Sequence, residues 1–346
     1  MKSKWKAFLI DAGAEFSANE TLHYGNPARE REVALSGTVF SDLSHLGVIA
    51  AHGADSASFL QAQLSNDLSA VDDSSHQLSA YCNPKGRIIG LSRIFRTGGN
   101  YYLRLPSDTL DSVLQRLRMY VLRAAVTLED ASNNFIAIGV SGETAAAELA
   151  AVAGRVPEQE NQTLHAGDLT VLRVPGIKPR FEVYASSLAA ARNLWEALNV
   201  RAAPAGTEAW RLLEILAGMP TIYAGTADLF VPQMANLQLV DGVSFKKGCY
   251  PGQEIVARMQ YLGTLKRRMY LGRIATDTVP LPGAALFSST DNEQPIGRVI
   301  DAQPHPDGGI AALAVLQISA ADAGDVHLAA ADGAAFVQQP LPYAFE

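Results

Sequence analysis

The chain has 346 residues, 48% of them hydrophobic and 18% charged, which is enough for two or three domains with ordinary soluble cores. Its formal charge of −7 argues against broad, non-specific binding to nucleic acids or membranes. Two cysteines in a chain of this length exclude a disulfide scaffold and a cysteine-only zinc site. The seven histidines show no metal-ligand spacing, so the sequence predicts no metal site.

The first thirty residues are polar and irregular, and we expect residues 1–30 to form a loosely ordered extension. The apolar run after Lys6 is too short for a signal peptide. No apolar run elsewhere approaches the length of a membrane-spanning helix. The sequence therefore predicts a cytoplasmic protein without a membrane segment.

Residues 49–129 predict a compact α+β domain of the ferredoxin-like type. A strand and a helix that begins after Asp55 are followed by three strands, a helix and a last strand. This order is typical of helices packed on one antiparallel sheet.

Residues 31–48 and 130–262 predict a second α+β domain, which carries the most reactive stretch of the sequence. Its predicted strands lie at 135–140, 169–174 and 181–184, and its predicted helices at 143–151, 188–198 and 208–216. After Gly263 no helix is predicted, and short β-prone runs alternate with glycine and proline turns. Residues 263–346 therefore predict a small C-terminal β-barrel.

Residues 245–254 concentrate two ammoniums, a thiol, a phenol, an amide and a carboxylate within ten positions. The glycines and the proline mark a tight turn, and a helix is predicted to start near Gly252 or Gln253. Cys249 would then precede a helix N-terminus and lie near Lys247, and both features favour a thiolate. Because a free cysteine is usually a small buried hydrophobe, these residues alone leave a reactive and a structural Cys249 equally open.

The segment from Lys246 to Arg273 is locally basic. It has one acidic residue, Glu254, and seven basic ones: Lys246, Lys247, Arg258, Lys266, Arg267, Arg268 and Arg273. Such a run suits an anionic ligand or RNA phosphates, although a solvated basic face is the commoner explanation. The sequence has no phosphate-binding glycine loop, paired-histidine motif or nucleophile elbow, so common nucleotide and hydrolase chemistries have no support.

The signature at 247–254, lysine–glycine–cysteine–tyrosine–x–glycine–glutamine–glutamate, resembles that of the YgfZ family, relatives of the glycine cleavage T-protein. Further similarity lies at 217–220 after Trp210, at 230–233 with 236–237, and at 340–343. The resemblance implies an α+β, three-domain ring with a C-terminal β-barrel and a tetrahydrofolate in its central cavity. It also implies a role in making or maintaining iron–sulfur enzymes, including those that modify tRNA.

The resemblance also assigns residues by position. Lys247 and Cys249 match the family's required lysine and cysteine, and are taken as the catalytic pair. The remaining motif residues are Gly248, Tyr250, Gly252, Gln253, Glu254 and Arg258. Trp210, Glu182 and Arg211 are assigned to the folate site, although Pro175 replaces the tyrosine of the T-protein's pterin-binding segment.

One departure from the T-proteins separates the hypotheses. Gly90 and Leu91 stand where T-proteins carry an essential aspartate, and neither can move a proton. The leading hypothesis is therefore a folate-binding accessory protein whose partners are folate and iron–sulfur enzymes. The rival is a folate-dependent aminomethyltransferase, so enzymatic activity stays open. A third reading, an RNA-contacting factor that uses the basic segment, is the least supported because the whole chain is acidic.

Overall fold

The computed structural model describes residues 2–18, 20–291 and 293–345. Its helices are α1 (Lys2–Asp11), α2 (Pro27–Ser36), α3 (Ser56–Gln63), α4 (Ser107–Met119), α5 (Ala145–Ala153), α6 (Leu188–Leu198), α7 (Thr207–Leu216), α8 (Gln253–Tyr261) and α9 (Ile318–Ala323). Its strands are β1 (Glu15–Ser17), β2 (Glu20–His23), β3 (Val39–Asp42), β4 (Leu46–His52), β5 (Gln77–Cys82), β6 (Ile88–Thr97), β7 (Asn100–Pro106), β8 (Thr127–Asp130), β9 (Ile136–Ser141), β10 (Thr163–Ala166), β11 (Leu169–Val174), β12 (Arg180–Ala185), β13 (Ala203–Pro204), β14 (Arg267–Ile274), β15 (Ala285–Phe287), β16 (Gly297–Pro304), β17 (Ile310–Gln317), β18 (His327–Leu328) and β19 (Phe336–Gln339).

The chain divides into two compact units. The first comprises Met1–Ser56, Ser69–Gln77 and Arg93–Leu213, and the second comprises Ala57–Leu68, Leu78–Ser92 and Glu214–Glu346. Both mix helices with sheets, as the α+β prediction requires. The predicted boundaries at 49–129, 130–262 and 263–346 stay a prediction.

The first unit is built on a six-stranded sheet in the order β10-β11-β12-β9-β3-β13. All residues of strand β12 are buried, so the sheet is covered on both faces and successive side chains of β12 enter opposite faces. Phe181 and Val183 enter a hydrophobic core with Trp195 of α6. Glu182 and Tyr184 point to the opposite face, because successive side chains of a strand alternate. That face carries a group of buried polar side chains that includes Glu182.

The N-terminal residues differ from the loosely ordered extension that the sequence predicted. They form α1, a β1–β2 hairpin and the start of α2. Trp5 and Leu9, one helical turn apart, are buried in the core, and Trp5 Nε1 donates to Asp42 at 2.9 Å. Helix α1 has three lysines and one aspartate, and its buried residues are Trp5 and Leu9, so the sequence shows no long apolar face. Packing of these two side chains in the core stabilises the helix.

The rest of the first unit includes β4, β7 and β8, which pair antiparallel, with β4 at the centre. Helix α4 packs on this sheet and buries Leu110, Val113, Leu114 and Leu117. Strand β6 continues from the second unit, where residues 88–92 lie, into the first, where 93–97 pair with β7.

The second unit ends in a six-stranded antiparallel sheet in the order β18-β15-β16-β17-β14-β19. The sheet curls as a half-barrel around a core that includes Ile274, Val299 and Leu316. The predicted β-rich C-terminal region is therefore confirmed, although the six-residue helix α9 interrupts it. Among the described residues, no helix combines the length and the apolar character needed to cross a membrane.

Candidate functional site

The motif turn, residues 245–254, lies in the second unit and leads directly into α8. Gly252 caps the helix with a φ of 80°, a left-handed conformation that glycine adopts without a steric penalty. A Cβ at Gly252 would lie 2.4 Å from Asn83 O and 2.6 Å from Gly86 Cα. The predicted helix start is confirmed, and the glycine is required both by backbone conformation and by close packing against the β5–β6 turn.

The Lys247 ammonium is bound by three backbone carbonyls. Its Nζ donates to the carbonyl oxygens of Gln61 and Leu64 at 2.6 Å and to that of Asn66 at 2.9 Å. Gln61 belongs to the last turn of α3, and the other two follow the helix, where carbonyls lack intrahelical partners. An ammonium has three donors, so all of its protons are used. Lys247 therefore fastens the motif turn to the end of α3.

Burial lowers the pKa of Lys247 to about 8, and the charge of Asp67 opposes this shift. The Asp67 carboxylate accepts a hydrogen bond from Gln61 Nε2 at 3.0 Å. The turn that follows α3 is itself held in place, because Asn66 Nδ2 donates to the carbonyls of Leu78 and Asp241. The carbonyl cage around the ammonium is thus part of a fixed turn.

Cys249 is exposed, whereas its neighbours Tyr250 and Gln253 make packing and hydrogen-bond contacts within the protein. The Tyr250 side chain is buried, and its ring centroid lies 5.4 Å from Lys247 Nζ. Gln253 Nε2 donates to the Lys247 carbonyl at 3.3 Å. Among the described residues other than its two chain neighbours, none has an atom within 4 Å of where a Gly248 Cβ would be. The turn therefore presents an accessible thiol on a fixed backbone.

This arrangement gives Lys247 a structural role that the sequence did not suggest. Hydrogen bonds to neutral carbonyl oxygens do not remove the charge of the ammonium, so its expected effect on a Cys249 thiolate stays a prediction. Its direct effect is on the position of the loop. The other cysteine, Cys82, is buried, and burial raises its pKa to about 12, so it is the inert thiol of the pair.

The last motif residues lie on α8. Glu254 and Arg258 are exposed on the helix, and Val256 between them is buried. The carbonyl of Val256 accepts a hydrogen bond from Gln233 Nε2 at 2.7 Å, which ties α8 to the upstream segment. No described group of three or more histidine, cysteine, aspartate or glutamate side chains could hold a metal ion.

Glu182, one of the predicted folate residues, lies in the first unit at the centre of a buried charge cluster. Arg104 forms two hydrogen bonds with its carboxylate, one of them 3.1 Å long from Nε to Oε2. Tyr184 Oη donates to Oε2 at 2.7 Å, and Arg93 Nε lies 3.9 Å from Oε1. Burial alone would raise the pKa of Glu182, but the two guanidiniums and the phenol lower it to about 2.

Trp210, the predicted pterin contact, is fully buried on the same face of the six-stranded sheet. A Cβ at Gly139 would lie 2.5 Å from its ring, so the glycine permits the indole to rest on β9. Gly139 pairs directly with Glu182, and directly paired residues project to the same face. The Arg180 guanidinium lies 5.3 Å from the indole centroid. The structure thus places Trp210 and Glu182 above neighbouring positions of one sheet.

Several buried polar atoms of the first unit have no hydrogen-bond partner among the described residues. They are Trp210 Nε1, Ser41 Oγ, Thr207 Oγ1 and both ring nitrogens of His45. Ser41 pairs with Gly139 from the other side, so it projects to the Trp210 face as well. Burial, followed by the charges of Arg211 and Arg104, lowers the pKa of His45 to about 3. His45 is therefore neutral and close to the predicted Arg211.

Sequence reasoning missed Arg93, Arg104 and His45. The first two had a readable signal, because each is a charged residue in the middle of an apolar strand. His45 had none, since it follows a strand in an ordinary polar turn. Of the predicted residues, Trp210, Glu182 and Arg211 belong to the first unit and the motif residues 247–258 to the second. Their roles in binding and chemistry stay predictions.

Comparison with known proteins identifies the family. Residues 11–247 match the GCVT N-terminal domain. The chain is 32% identical over 295 residues to the tRNA-modifying protein YgfZ of Escherichia coli O157:H7, covering 85% of this chain and 90% of that protein. The crystal structure of the glycine cleavage system aminomethyltransferase T from Bartonella henselae superposes with a TM-score of 0.77 and 19% identity, covering 98% and 96% of the two chains.

A further solved structure, the heterotetrameric sarcosine oxidase from Corynebacterium sp. U-96, matches with a TM-score of 0.37 and 11% identity, covering 57% of this chain and 94% of that one. The two sequence matches establish the family, and the Bartonella structure establishes the fold. This chain carries a GCVT N-terminal domain and belongs to the YgfZ family.

Proposed function

We propose that this chain is a folate-binding accessory protein that supports iron–sulfur enzymes, including tRNA-modifying ones, with Cys249 as its reactive centre. The observation that carries the proposal is the exposed Cys249 thiol on a turn fixed by Lys247 and Tyr250. A purely structural cysteine would be buried, as Cys82 is. The name of the Escherichia coli relative supports the tRNA-modification context.

The first unit offers suitable groups for a folate. A pterin ring has several donors and acceptors, and the unpartnered atoms of Trp210, His45 and Ser41 are buried polar groups of the kind it would satisfy. Glu182 and Trp210 would hold the pterin, and Arg211 would meet its glutamate tail. Tetrahydrofolate, when bound, supplies a carrier for one-carbon units.

Folate binding at Trp210 has a structural requirement. Trp210 and Glu182 are fully buried, and Glu182 already accepts from Arg104 and Tyr184. Side chains above the indole must therefore move apart, and new hydrogen bonds to the ligand must offset that rearrangement. We accordingly expect binding to be slower than a simple diffusional encounter and to change the environment of Trp210.

The rival activity, aminomethyl transfer, lacks a positioned acid. Gly90 and Leu91 are buried in β6 and carry no titratable group. Asp67, whose charge acts on Lys247, is the carboxylate of the second unit that could replace the missing aspartate. It already accepts a hydrogen bond from Gln61 Nε2. We therefore expect no aminomethyltransferase turnover, and robust formation of methylenetetrahydrofolate from an aminomethylated carrier protein would assign the transferase activity instead.

Tryptophan fluorescence tests the folate site. Trp210→Ala would leave a large cavity in a packed core, so Trp210→Phe is the appropriate variant. Tetrahydrofolate should quench the wild-type fluorescence. Trp210→Phe should lose most of the quenching and bind more weakly, because phenylalanine keeps an aromatic face but lacks the indole N–H and part of the ring area. Trp195→Phe, at a buried tryptophan of the α6 core, is the matched control. Unchanged affinity in Trp210→Phe would place folate elsewhere.

A further inference from the structure

Three segments of the second unit meet at the motif turn: the β5–β6 turn, the motif turn itself and α8. The β5–β6 turn packs on the start of α8, since a Cβ at Gly86 would lie 3.1 Å from Cβ of Ile255. The ring of Phe245, in the motif turn, contacts the ring of Tyr261 at the end of α8, with centroids 6.1 Å apart. We use the name α8 surface for six exposed residues in these segments and in the residues just after α8: Lys85, Lys246, Arg258, Tyr261, Leu262 and Lys266.

The α8 surface carries cations that no carboxylate neutralises. The side chains of Lys85, Lys246, Arg258 and Lys266 are exposed, and within the described part of the chain none of them forms an ion pair or a side-chain hydrogen bond. Glu254 is an exposed acid on the same helix. The protein as a whole has a formal charge of −7, so this excess of positive charge is local. A local excess of this kind attracts polyanions.

The same surface exposes apolar groups that a solvated basic face would not need. Tyr261 is 67% exposed and Leu262 is 85% exposed. The edge-to-face contact with Phe245 orients the Tyr261 ring while most of it stays accessible. An oriented, accessible aromatic ring among cations is the arrangement on which unpaired bases stack.

We propose that the α8 surface binds single-stranded RNA. Lys85, Lys246, Arg258 and Lys266 contact phosphates, and Tyr261 stacks on an unpaired base. An acidic protein partner is the weaker alternative, because lysines are depleted in protein–protein interfaces whereas lysine, arginine and tyrosine together are typical of single-strand binding. The choice of RNA over DNA rests on the proposed tRNA-modification context, but polynucleotide binding does not depend on it or on folate.

Fluorescence anisotropy with a labelled single-stranded RNA oligonucleotide of mixed sequence tests the proposal on the full-length protein. The logarithm of the binding constant should fall with the logarithm of salt concentration with a slope of roughly −2 to −3, as three or four neutralised phosphates predict. The double variant Lys85→Glu/Lys266→Glu should bind at least about tenfold more weakly and with a shallower slope. Tyr261→Ala should weaken binding by about fivefold or more.

Matched variants separate the α8 surface from overall charge and exposure. Lys4→Glu/Arg123→Glu changes the net charge by the same amount at exposed positions of the first unit. Tyr120→Ala removes another exposed tyrosine, which is 48% accessible. Both controls should bind RNA like the wild type. The proposal would be overturned if the two double variants weakened RNA binding equally, or if the wild-type protein did not bind RNA.

Two further probes fix the class of ligand. DNA of the same sequence that binds as tightly as RNA would overturn the choice of RNA, and polyglutamate that binds more tightly than RNA would reassign the surface to an acidic protein. The affinity for tetrahydrofolate is measured on the same variants and should not change. A failure of the folate proposal is therefore distinguishable from a failure of this one.

Discussion

Lys247 and Cys249 are two positions apart in the chain but have opposite surroundings. The lysine ammonium is enclosed by three carbonyl oxygens, whereas the cysteine thiol is exposed. The turn therefore combines a buried charge that fixes the backbone with an accessible sulfur. At the residue scale, this contrast leads to separate predictions for the two side chains.

We expect Cys249 to be alkylated much faster than Cys82 at neutral pH. Cys249 is exposed, while Cys82 is 1% exposed and burial raises its pKa to about 12. A timed reaction with iodoacetamide, followed by peptide mass spectrometry, measures both rates in one sample. Comparable rates in the folded protein would show that Cys249 is protected and would contradict its assignment as the accessible thiol.

Replacing Lys247 with methionine should destabilise the protein by roughly 1–3 kcal/mol, because the carbonyls of Gln61, Leu64 and Asn66 would lose their shared donor. Lys246→Met is the matched control, since Lys246 is exposed and a surface change usually stays within about 0.5 kcal/mol. Urea unfolding measures both. If the two variants unfold at the same urea concentration, the ammonium does not fasten the turn.

Acid should destabilise the first unit through its buried histidines. Burial lowers the pKa of His45 and His76 to about 3, while an unfolded histidine titrates near its ordinary value of 6.5. Between these values the unfolded chain binds protons that the folded chain does not. Stability therefore falls as the pH drops from 6.5 toward 3, by up to ~1.4 kcal/mol per pH unit for each histidine.

Glu182 extends this acid sensitivity further. Its pKa is lowered from an ordinary value of 4.5 to about 2 in the folded protein. Its contribution to stability is therefore fully present above pH 4.5 and is lost as the pH falls toward 2. His45→Gln separates the effects, because the His45 ring has no partner among the described residues. Urea titrations at several pH values should give a shallower slope between pH 6.5 and 3 for His45→Gln. An unchanged slope would mean that His45 titrates normally when folded.

At the scale of elements, two glycines of the motif turn have different requirements. Gly252 has a φ of 80° and is packed against Asn83 and Gly86, whereas Gly248 lies next to open space. Gly252→Ala should therefore lower the free energy of unfolding by ~1–3 kcal/mol, and Gly248→Ala should change it little. Thermal unfolding of the two single variants measures the difference. Equal melting temperatures would contradict the placement of α8 against the β5–β6 turn.

The same scale shows what the sequence could and could not predict. The start of α8 was predictable because glycine and proline set the turn locally. Helix α1 was not, because it depends on the burial of Trp5 and Leu9 by distant residues. The Glu182–Arg104 pair joins residues 78 positions apart, and the carbonyl cage of Lys247 joins residues more than 180 apart. A charged residue in an apolar strand can be noticed in the sequence, but which distant residue it meets is decided by the fold.

At the scale of the whole molecule, average properties conceal the functional regions. The net charge of −7 argues against nucleic-acid binding, but the α8 surface carries four unneutralised cations. The fold is that of an aminomethyltransferase, but Gly90 and Leu91 occupy the strand positions where such enzymes are expected to carry their acid. The proposed accessory role therefore rests on family membership and on the exposed Cys249, and not on fold or composition alone, as is usual when one fold serves several functions.

The central claim is that Cys249 is needed for the support of iron–sulfur enzymes and not for folding. The most direct test complements cells that lack this protein with the wild type, Cys249→Ala or Cys82→Ala at matched soluble levels. The measurement is the amount of a tRNA nucleoside made by an iron–sulfur enzyme. We predict that the wild type and Cys82→Ala restore the modified nucleoside and that Cys249→Ala does not. Full restoration by Cys249→Ala would contradict the account.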